Sequence, residues 1–375
     1  MPRLDTGGAE RTTIDIAAAL AREEFRSLVA CEGGRMVPEL EQAGGEWIAM
    51  PLDSKSPLVL AANVRRLRRV IQTRGVTLVH ARSRAPAWTA LWAARAERVP
   101  FVTTFHGAYS AGSALKRFYN SVMLRGDAVI ANSQWTADHI RSTYTLKPQR
   151  LMIVPRGIDV EMFDPLRVGL ERTDTLRGAW GVGDGETVIL LPGRITRWKG
   201  QLVLVEALAR LARGDVGPFR AVLAGDPQGR DAYVAEVKSS IARNHLASVV
   251  TIPGHVSDMP AAYRAADIVV SASTDPEAFG RVAAEAGAME RPVIATDHGG
   301  ARETVIAGVS GLLVPPGDVG ALAGSLAKLV QAGSQTRSAM GTRGRDHVVR
   351  NFSLARMTAD TLSLYHELLG EAVIT

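Results

Sequence analysis

Short runs of β-branched and small apolar residues alternate with stretches of helical periodicity along nearly the whole chain, and no other feature narrows the fold as much. Runs near 27–31, 47–51, 77–81, 101–105, 128–132 and 151–154 read as strands, separated by helices near 36–42, 58–73, 86–97, 115–124 and 135–144. A second series places strands near 187–191, 221–224, 249–252, 268–272 and 293–296, with helices near 201–212, 231–244, 260–265 and 301–307. Strands that are apolar at every position are buried on both faces, so the alternation predicts parallel sheets flanked by helices, an α/β architecture. Two such series in 375 residues exceed one ordinary core and predict two domains. The periodicity breaks from Arg156 to about Thr173, which puts the connection there and the domains at 1–168 and 169–352. The remainder, 353–375, contains the last of three expected helices at 321–331, 335–349 and 354–369, with Met357, Leu362, Leu364, Tyr365 and Leu368 as candidates for burial.

Composition excludes several classes. Hydrophobic content of 46% with 5% aromatics suits an Ala/Val/Leu-rich globular protein, not a disordered one. A single cysteine, Cys31, rules out an intrachain disulfide and fits a reducing compartment. No run approaches the roughly 20 apolar residues of a spanning helix, so a cytoplasmic location is expected. The net charge is +6 and its excess falls within residues 1–168, densest at Val64-Arg65-Arg66-Leu67-Arg68-Arg69-Val70. That helix face is either solvated or in contact with anionic lipid headgroups. No aromatic-interleaved basic patch or zinc-finger spacing points to nucleic acid.

The chemically useful residues are densest between Asp275 and Gly300. The turn Glu277-Ala278-Phe279-Gly280 follows a strand and opens a helix at 280–289, where open α/β sheets bind ligands. Backbone N–H groups of Phe279 and Gly280 at that helix start suit a phosphate. Glu277 can accept from sugar hydroxyls and Glu285 from the vicinal diol of a ribose; the plainer readings are a capping acid and a solvated helix residue. The loop Gly193-Arg194-Ile195-Thr196-Arg197-Trp198-Lys199-Gly200 sits at another strand-to-helix turn, with Arg194 and Lys199 able to grip a diphosphate. Paired glycines recur at Gly299-Gly300, and Gly7-Gly8 precede a helix from Ala9, allowing close backbone approach to a ligand or merely a turn. Other strand ends hold Arg82 and Arg84, His106, and Asn132. No Asp-x-Asp lies between apolar strands and no His/Cys cluster has ligand spacing.

Together the Arg194/Lys199 loop, the spaced Glu277 and Glu285 and the glycine turns resemble family 4 of the retaining glycosyltransferases over nearly the whole chain. The resemblance implies the GT-B fold: two Rossmann-like parallel-sheet domains facing across a cleft, with the final helix crossing back to the first. It implies transfer of a hexose, mannose or glucose, from a GDP- or UDP-linked nucleotide-diphospho-sugar, with no cofactor and no metal. Gly7, Gly8, Arg194, Lys199, Glu277, Ala278, Phe279, Gly280 and Glu285 would bind the donor. His106 matches the histidine held beside the donor sugar. Arg194, Lys199 and Glu277 would complete the catalytic set, the two cations stabilising charge on the leaving diphosphate.

Arg82, Arg84 and Asn132 fall on the acceptor side. Residues 82–88, 101–109 and 191–201 look most like glycosyltransferases of the lipopolysaccharide core of Gram-negative bacteria, mannosyltransferases included. The implied acceptor is therefore a glycolipid or polysaccharide of the cell envelope, with Arg65, Arg66, Arg68, Arg69, Arg82 and Arg84 holding it or the inner face of its membrane. A nucleotide-sugar epimerase and a non-catalytic nucleotide-sugar-binding protein are the alternatives. Two positions depart from the family pattern. Glu290 stands where a glycine is usual at a helix end, so either its φ is positive or the helix ends differently; Arg281 either adds a cation near the phosphates or points outward.

In a doubly wound sheet the strand before the first glycine loop is central. Only Met1 to Thr6 precede Gly7, and Pro2 cannot donate a ladder bond, so two or three residues at best can pair. The expectation is a truncated first strand, a natural start upstream and a less stable first domain.

Overall fold

A computed structural model of the chain describes residues 1–5, 7–54, 56–109 and 111–370. Thr6 of the expected first strand and the end of the expected segment 353–375 lie outside the described residues. The chain forms two compact units, Met1–Gly157 with Leu354–Thr375, and Ile158–Ser353.

In the first unit the order is α1 (Gly8–Arg22), β1 (Ser27–Cys31), α2 (Val37–Gln42), β2 (Gly45–Ala49), α3 (Pro57–Arg74), β3 (Val79–Ala81), α4 (Arg84–Glu97), β4 (Phe101–Phe105), α5 (Ala114–Asn120), β5 (Ala128–Ala131), α6 (Gln134–Thr143) and β6 (Leu151–Ile153). All five residues of β4 and all four of β5 are buried, as their apolar runs require. Ser133 caps α6 by accepting from the Thr136 N–H at 3.0 Å.

These strands do not make one sheet: β1 and β2 pair in parallel, and β3-β4-β5-β6 form a separate parallel sheet. No strand precedes α1 among the described residues. Residues 1–5 run past the end of β1 instead, with the Met1 amine donating to Ala30 O at 3.1 Å, Glu32 N to Pro2 O at 3.0 Å and Leu4 N to Gly33 O at 2.8 Å.

The second unit continues with α7 (Leu170–Ala179), β7 (Thr187–Pro192), α8 (Gln201–Leu211), β8 (Phe219–Ala224), α9 (Asp231–Arg243), β9 (Val250–Gly254), α10 (Met259–Ala265), β10 (Ile268–Ser271), α11 (Arg281–Ala288), β11 (Val293–Thr296), α12 (Ala301–Thr304), β12 (Gly311–Val314), α13 (Val319–Gln331) and α14 (Gly333–Phe352). Its six strands form one parallel sheet in the order β12-β11-β10-β7-β8-β9. Counted from β7, that is the 3-2-1-4-5-6 arrangement of a doubly wound nucleotide-binding sheet, and its direction reverses between β7 and β10.

The final helix, α15 (Leu354–Leu369), belongs to the first unit, where Met357, Leu362, Leu364 and Tyr365 are buried among Ile16, Val102, Ile130 and Val154, and Leu368 packs on them partly buried.

Three readings shift. The boundary expected after 168 lies at Gly157/Ile158, because Ile158, Phe163 and Val168 are buried in the core of the second unit. The polar stretch up to Thr173 is not all connection: α7 starts at Leu170, packs on α10, and its Arg172 forks onto Asp258 at 2.8 and 2.6 Å. The edge strand β12 was not read from the sequence, since its apolar run is short and ends in Pro315-Pro316. Glu290 does take a positive φ, 56°, at the end of α11.

Candidate active site

In the second unit the residues singled out from the sequence converge on the loops after β7 and β10, which flank the reversal of the sheet. The β7 loop turns through Gly193, whose N–H bonds to Ala224 O at 2.9 Å, and closes at Gly200, with φ 76°. A Cβ at Gly200 would overlap the Ala272 carbonyl, so a glycine is required for the two loops to touch. They are joined further by the Thr274 N–H, which donates to Trp198 O at 2.7 Å. The β11 loop supports this from the other side: Thr296 Oγ1 and His298 Nε2 both donate to Ser273 O at 2.9 Å, and Gly300 N donates to Glu277 O at 2.8 Å.

Lys199 Nζ lies 2.7 Å from Glu277 Oε1, with both side chains largely buried, and Ser273 Oγ also donates to that oxygen. Burial pushes the Glu277 carboxyl up, but the Lys199 charge and the hydrogen bonds from Lys199 and Ser273 outweigh it, so the acid is held below its ordinary range and is ionised at neutral pH. Arg194 is exposed and its guanidinium has no partner among the described residues. The N–H groups of Phe279 and Gly280 likewise lack an acceptor among the described residues, at the start of α11. Two cations, Arg194 and Lys199, and the two N–H groups thus lie on the loops after β7 and β10, beside the carboxylate of Glu277 that Lys199 holds.

Glu285 is not a solvated helix residue. It is buried, with Oε2 accepting from the Tyr263 hydroxyl at 2.8 Å and Oε1 from Arg281 Nε and Nη2 at 3.0 and 2.6 Å. Arg281 is 41% exposed at its side chain, and its guanidinium reaches one turn along the helix to Glu285. The Phe279 side chain is buried against Phe352, so only its backbone is available to a ligand.

In the first unit His106 lies just after β4, with both ring nitrogens buried and without hydrogen-bond partners among the described residues. Burial, then the charges of Arg156 and Arg82, push its imidazole well below the ordinary value, so it is neutral. Arg156 was not singled out as a site residue. Its Nη2 donates to His106 O at 3.3 Å, and a side chain at Gly8 would overlap its guanidinium, which ties the glycine turn to the histidine. The only signal available was its place just beyond a short strand. A cavity of about 20 Å³ joins Thr12, Arg82, His106, Asn132 and Arg156. Asn132 is buried, its Oδ1 accepting from Thr136 Oγ1 at 2.8 Å and its Nδ2 without a partner among the described residues. Arg82 is buried, whereas Arg84 donates to Asn120 Oδ1 at 3.0 Å and lies 4.2 Å over the Tyr109 ring. Ser273, Tyr263 and His298 are further additions, legible only once the loops are folded.

Among the described residues no three His, Cys, Asp or Glu side chains stand close enough to hold a metal ion, and no helix is long and apolar enough to cross a membrane.

Residues 6–162 match the family model described as Glycosyltransferase Family 4, and residues 172–347 that described as Glycosyl transferases group 1. A glycosyltransferase from Rickettsia africae ESF-5 of known structure is 35% identical, with a TM-score of 0.91 over 98% of this chain and 96% of that one. Anabaena HepE, solved in complex with UDP and glucose, is 26% identical with a TM-score of 0.82 over 96% of each chain. The D-inositol 3-phosphate glycosyltransferase of Salinispora tropica is 33% identical over 258 residues, which are 67% of this chain. The match spans 53% of that relative, so the chain covers about half the length of the curated relatives it matches.

Proposed function

The chain belongs to family 4 of the glycosyltransferases, with the two parallel-sheet domains of the GT-B fold, and on that premise we propose that it transfers a hexose, mannose or glucose, with retention of anomeric configuration. The donor is a GDP- or UDP-linked diphospho-sugar, and the acceptor a glycan or glycolipid of the cell envelope, in the lipopolysaccharide core or another envelope polysaccharide. The observation that carries this reading is the Lys199–Glu277 ion pair that joins the two loops flanking the sheet reversal in the second unit, with Arg194 on the first of those loops.

As the bond from the anomeric carbon to the diphosphate breaks, negative charge grows on the leaving oxygens. Arg194, Lys199 and the N–H groups of Phe279 and Gly280 stabilise it where it grows. Glu277, ionised and anchored by Lys199 and Ser273, accepts from hydroxyls of the donor sugar. Glu285 accepts from the ribose diol through lone pairs that Arg281 and Tyr263 leave, and Gly7 and Gly8 bring backbone close to the donor. His106, neutral with open ring nitrogens, takes a sugar hydroxyl.

Asn132 and Arg84 serve the acceptor. Arg82 is buried, so contact with lipid falls to the exposed Arg65, Arg66 and Arg69 of α3, at the cytoplasmic face of the membrane. Flotation with phosphatidylglycerol vesicles at low salt tests that part, and indifference to the anionic lipid removes it.

Incubation with UDP-glucose and GDP-mannose tests the whole. Slow donor hydrolysis without acceptor is expected; isomerised donor would make the protein an epimerase, and neither product a binder. Glu285→Ala should weaken nucleotide binding by roughly 1.5–3 kcal/mol in calorimetry, while Glu277→Gln lowers turnover with binding nearly kept. Equal losses of nucleotide affinity in both variants would overturn the division of roles.

A further inference from the structure

At the amino ends of the strands in the second unit, opposite the loops that carry Lys199 and Glu277, four arginines gather around one aspartate. Asp267 stands directly before β10 and ties it to β7: its N–H donates to Val188 O at 2.8 Å, and its Oδ2 accepts from Val188 N at 2.8 Å. Arg177 of α7 has Nη1 3.8 Å from Oδ2, and Arg337 of α14 has Nη2 4.0 Å from Oδ1. Arg264, in the last turn of α10, and Arg291, two residues before β11, complete the group. Burial pushes the Arg291 guanidinium below its ordinary value; the charges of Arg264 and Arg177 push it the same way, against those of Asp267 and Glu290.

These arginines are not spent on the acids around them. Where other arginines of this unit serve an ion pair, the fork closes on the carboxylate: Arg172 on Asp258 at 2.8 and 2.6 Å, and Arg220 on Glu186 at 3.1 and 3.2 Å. No guanidinium comes within hydrogen-bonding distance of Asp267 among the described residues. Arg177 and Arg337 are held by backbone instead. Arg177 donates to Ala265 O at 2.9 Å and Glu186 O at 3.5 Å, and Arg337 to Leu329 O at 3.0 Å and Val330 O at 3.1 Å. The guanidiniums of Arg264 and Arg291 have no acceptor among the described residues, and Arg291 Nε is buried.

Arginine stays protonated at any ordinary pH, so four guanidiniums against the two carboxylates of Asp267 and Glu290 leave an excess of two positive charges. Partly buried cations without acceptors are costly, and an anion that reaches several of them at once offsets that cost. A lone carboxylate would balance half of the excess. A doubly charged tetrahedral oxyanion balances all of it and offers acceptors to more than one planar fork. Arg177 is 31% exposed and Asp267 28% at their side chains, so the cluster opens to solvent. It lies a strand length, roughly 20 Å, from the donor loops along the six residues of β7. The donor's own diphosphate, bound at the carboxyl ends, therefore does not account for it.

We propose that Arg177, Arg264, Arg291 and Arg337 form a second anion site, which binds a doubly charged phosphate group, free or as a phosphate monoester, at the amino end of the sheet.

Calorimetric titration of the full chain with orthophosphate, at an ionic strength held constant with chloride, should give saturable binding. Hydrogen exchange resolved by peptide should slow at 262–268 and 287–293. Glycerol phosphate separates the two sources: binding as tight as or tighter than that of orthophosphate identifies a monoester, weaker binding identifies free phosphate, and either supports the site. Arg291→Gln and Arg264→Gln should each weaken binding roughly tenfold or more, while Arg194→Gln, which alters the donor loop, leaves it unchanged. Arg264 is only partly buried, so its variant decides the matter should Arg291→Gln fail to fold. Absence of saturable binding at millimolar concentrations of both anions overturns the proposal, as does binding that Arg264→Gln leaves undiminished. Protection confined to 193–200 and 277–281 overturns it too, and would assign the anion to the donor loops, leaving the reading of that site intact.

Discussion

The two sheets of this molecule arise from the same alternation of apolar strand and amphipathic helix, yet one is whole and the other divided. In the second unit β7 is hydrogen-bonded on both sides, to β8 and β10, and is buried at all six residues. In the first unit the corresponding place, between β1 and β3, holds no strand among the described residues, and the sheet falls into a pair and a group of four. The comparison shows what a central strand does beyond its own contacts. It welds the flanking strands into one hydrogen-bonded layer, and it fixes the loop that follows it. The loop after β7 is held by Gly193 N on Ala224 O and by Gly200 against Ala272, both within a continuous sheet. The Gly7-Gly8 turn is held at its start only by residues 1–5 lying along the end of β1, and at Gly8 by the Arg156 guanidinium.

The largest expected effect sets a core residue of one sheet against its counterpart in the other. Leu190, fully buried in β7, should cost the second unit about 2–5 kcal/mol when changed to Ala, through lost transfer energy and the cavity left behind. Leu28, partly buried on β1 beside an existing cavity, should cost the first unit about 1 kcal/mol or less, since that site is already open. Because the units need not melt together, the measurement is hydrogen exchange resolved by peptide, read separately for each unit. A Leu28→Ala loss as large as that of Leu190→Ala would mean the two sheets are equally well packed, and the comparison would fail.

Much of this was legible beforehand, for a physical reason. Buried parallel strands are apolar at every position, so β4, β5, β7 and β11 stand out as runs whose expected and observed ranges differ by a residue at most. The glycine turns at 193–200 and 299–300 were legible because close backbone approach demands a missing side chain. The pairing of Glu277 with Lys199 was not, since it joins residues 78 apart in the chain through loops with no period. Nor was the place of Glu285: its acid reads as solvated until Tyr263 and Arg281, brought by α10 and its own helix, close over it. Arg156 carries little local signal beyond its place after a short strand, because what it meets is set by where β6 delivers it.

An intermediate effect separates the units by pH. In the first, His80 is enclosed between the Tyr365 hydroxyl at 2.5 Å and Thr104 Oγ1 at 2.7 Å, and burial, then the Arg82 charge, push it well below 6.5; His106 is pushed the same way. Unfolded, both imidazoles take up protons near 6.5, so below that pH the unfolded unit binds more protons than the folded one. The stability they contribute is therefore complete above about 6.5 and is lost as the pH falls toward their folded values. In the second unit Glu277 is lowered from 4.5, so its contribution is complete above about 4.5 and is lost only as the pH falls below it. Acid should open the first unit before the second, within the window from about pH 6.5 down to 4.5, as read by exchange or by near-ultraviolet circular dichroism. The double variant His80→Gln with His106→Gln should narrow that gap. Simultaneous opening of both units in the unaltered protein would contradict the assignment.

The smallest effect concerns the surface of α3, where the charge excess of the first unit is densest. Arg68 Nε lies 2.6 Å from Glu97 Oε1, as short as the contact of Lys199 with Glu277, yet Arg68 is 45% exposed where Lys199 is 13% exposed. Distance alone would rank the two pairs together. Solvent decides otherwise, because water and salt screen the exposed pair and the long arginine loses rotamer freedom on forming it, whereas the buried carboxylate of Glu277 has no substitute for its partner. Arg68→Gln should accordingly leave the midpoint of the first unit unchanged within the spread of repeated melts, at low and at high salt. Lysine scanning gives the complementary control: Arg65→Lys and Arg66→Lys keep the charge of the helix and should change neither stability nor vesicle flotation. A salt-dependent loss of stability in Arg68→Gln would show that α3 is held to α4 by this pair, and the weakness of the first unit would then lie at its helical surface as well as in its divided sheet.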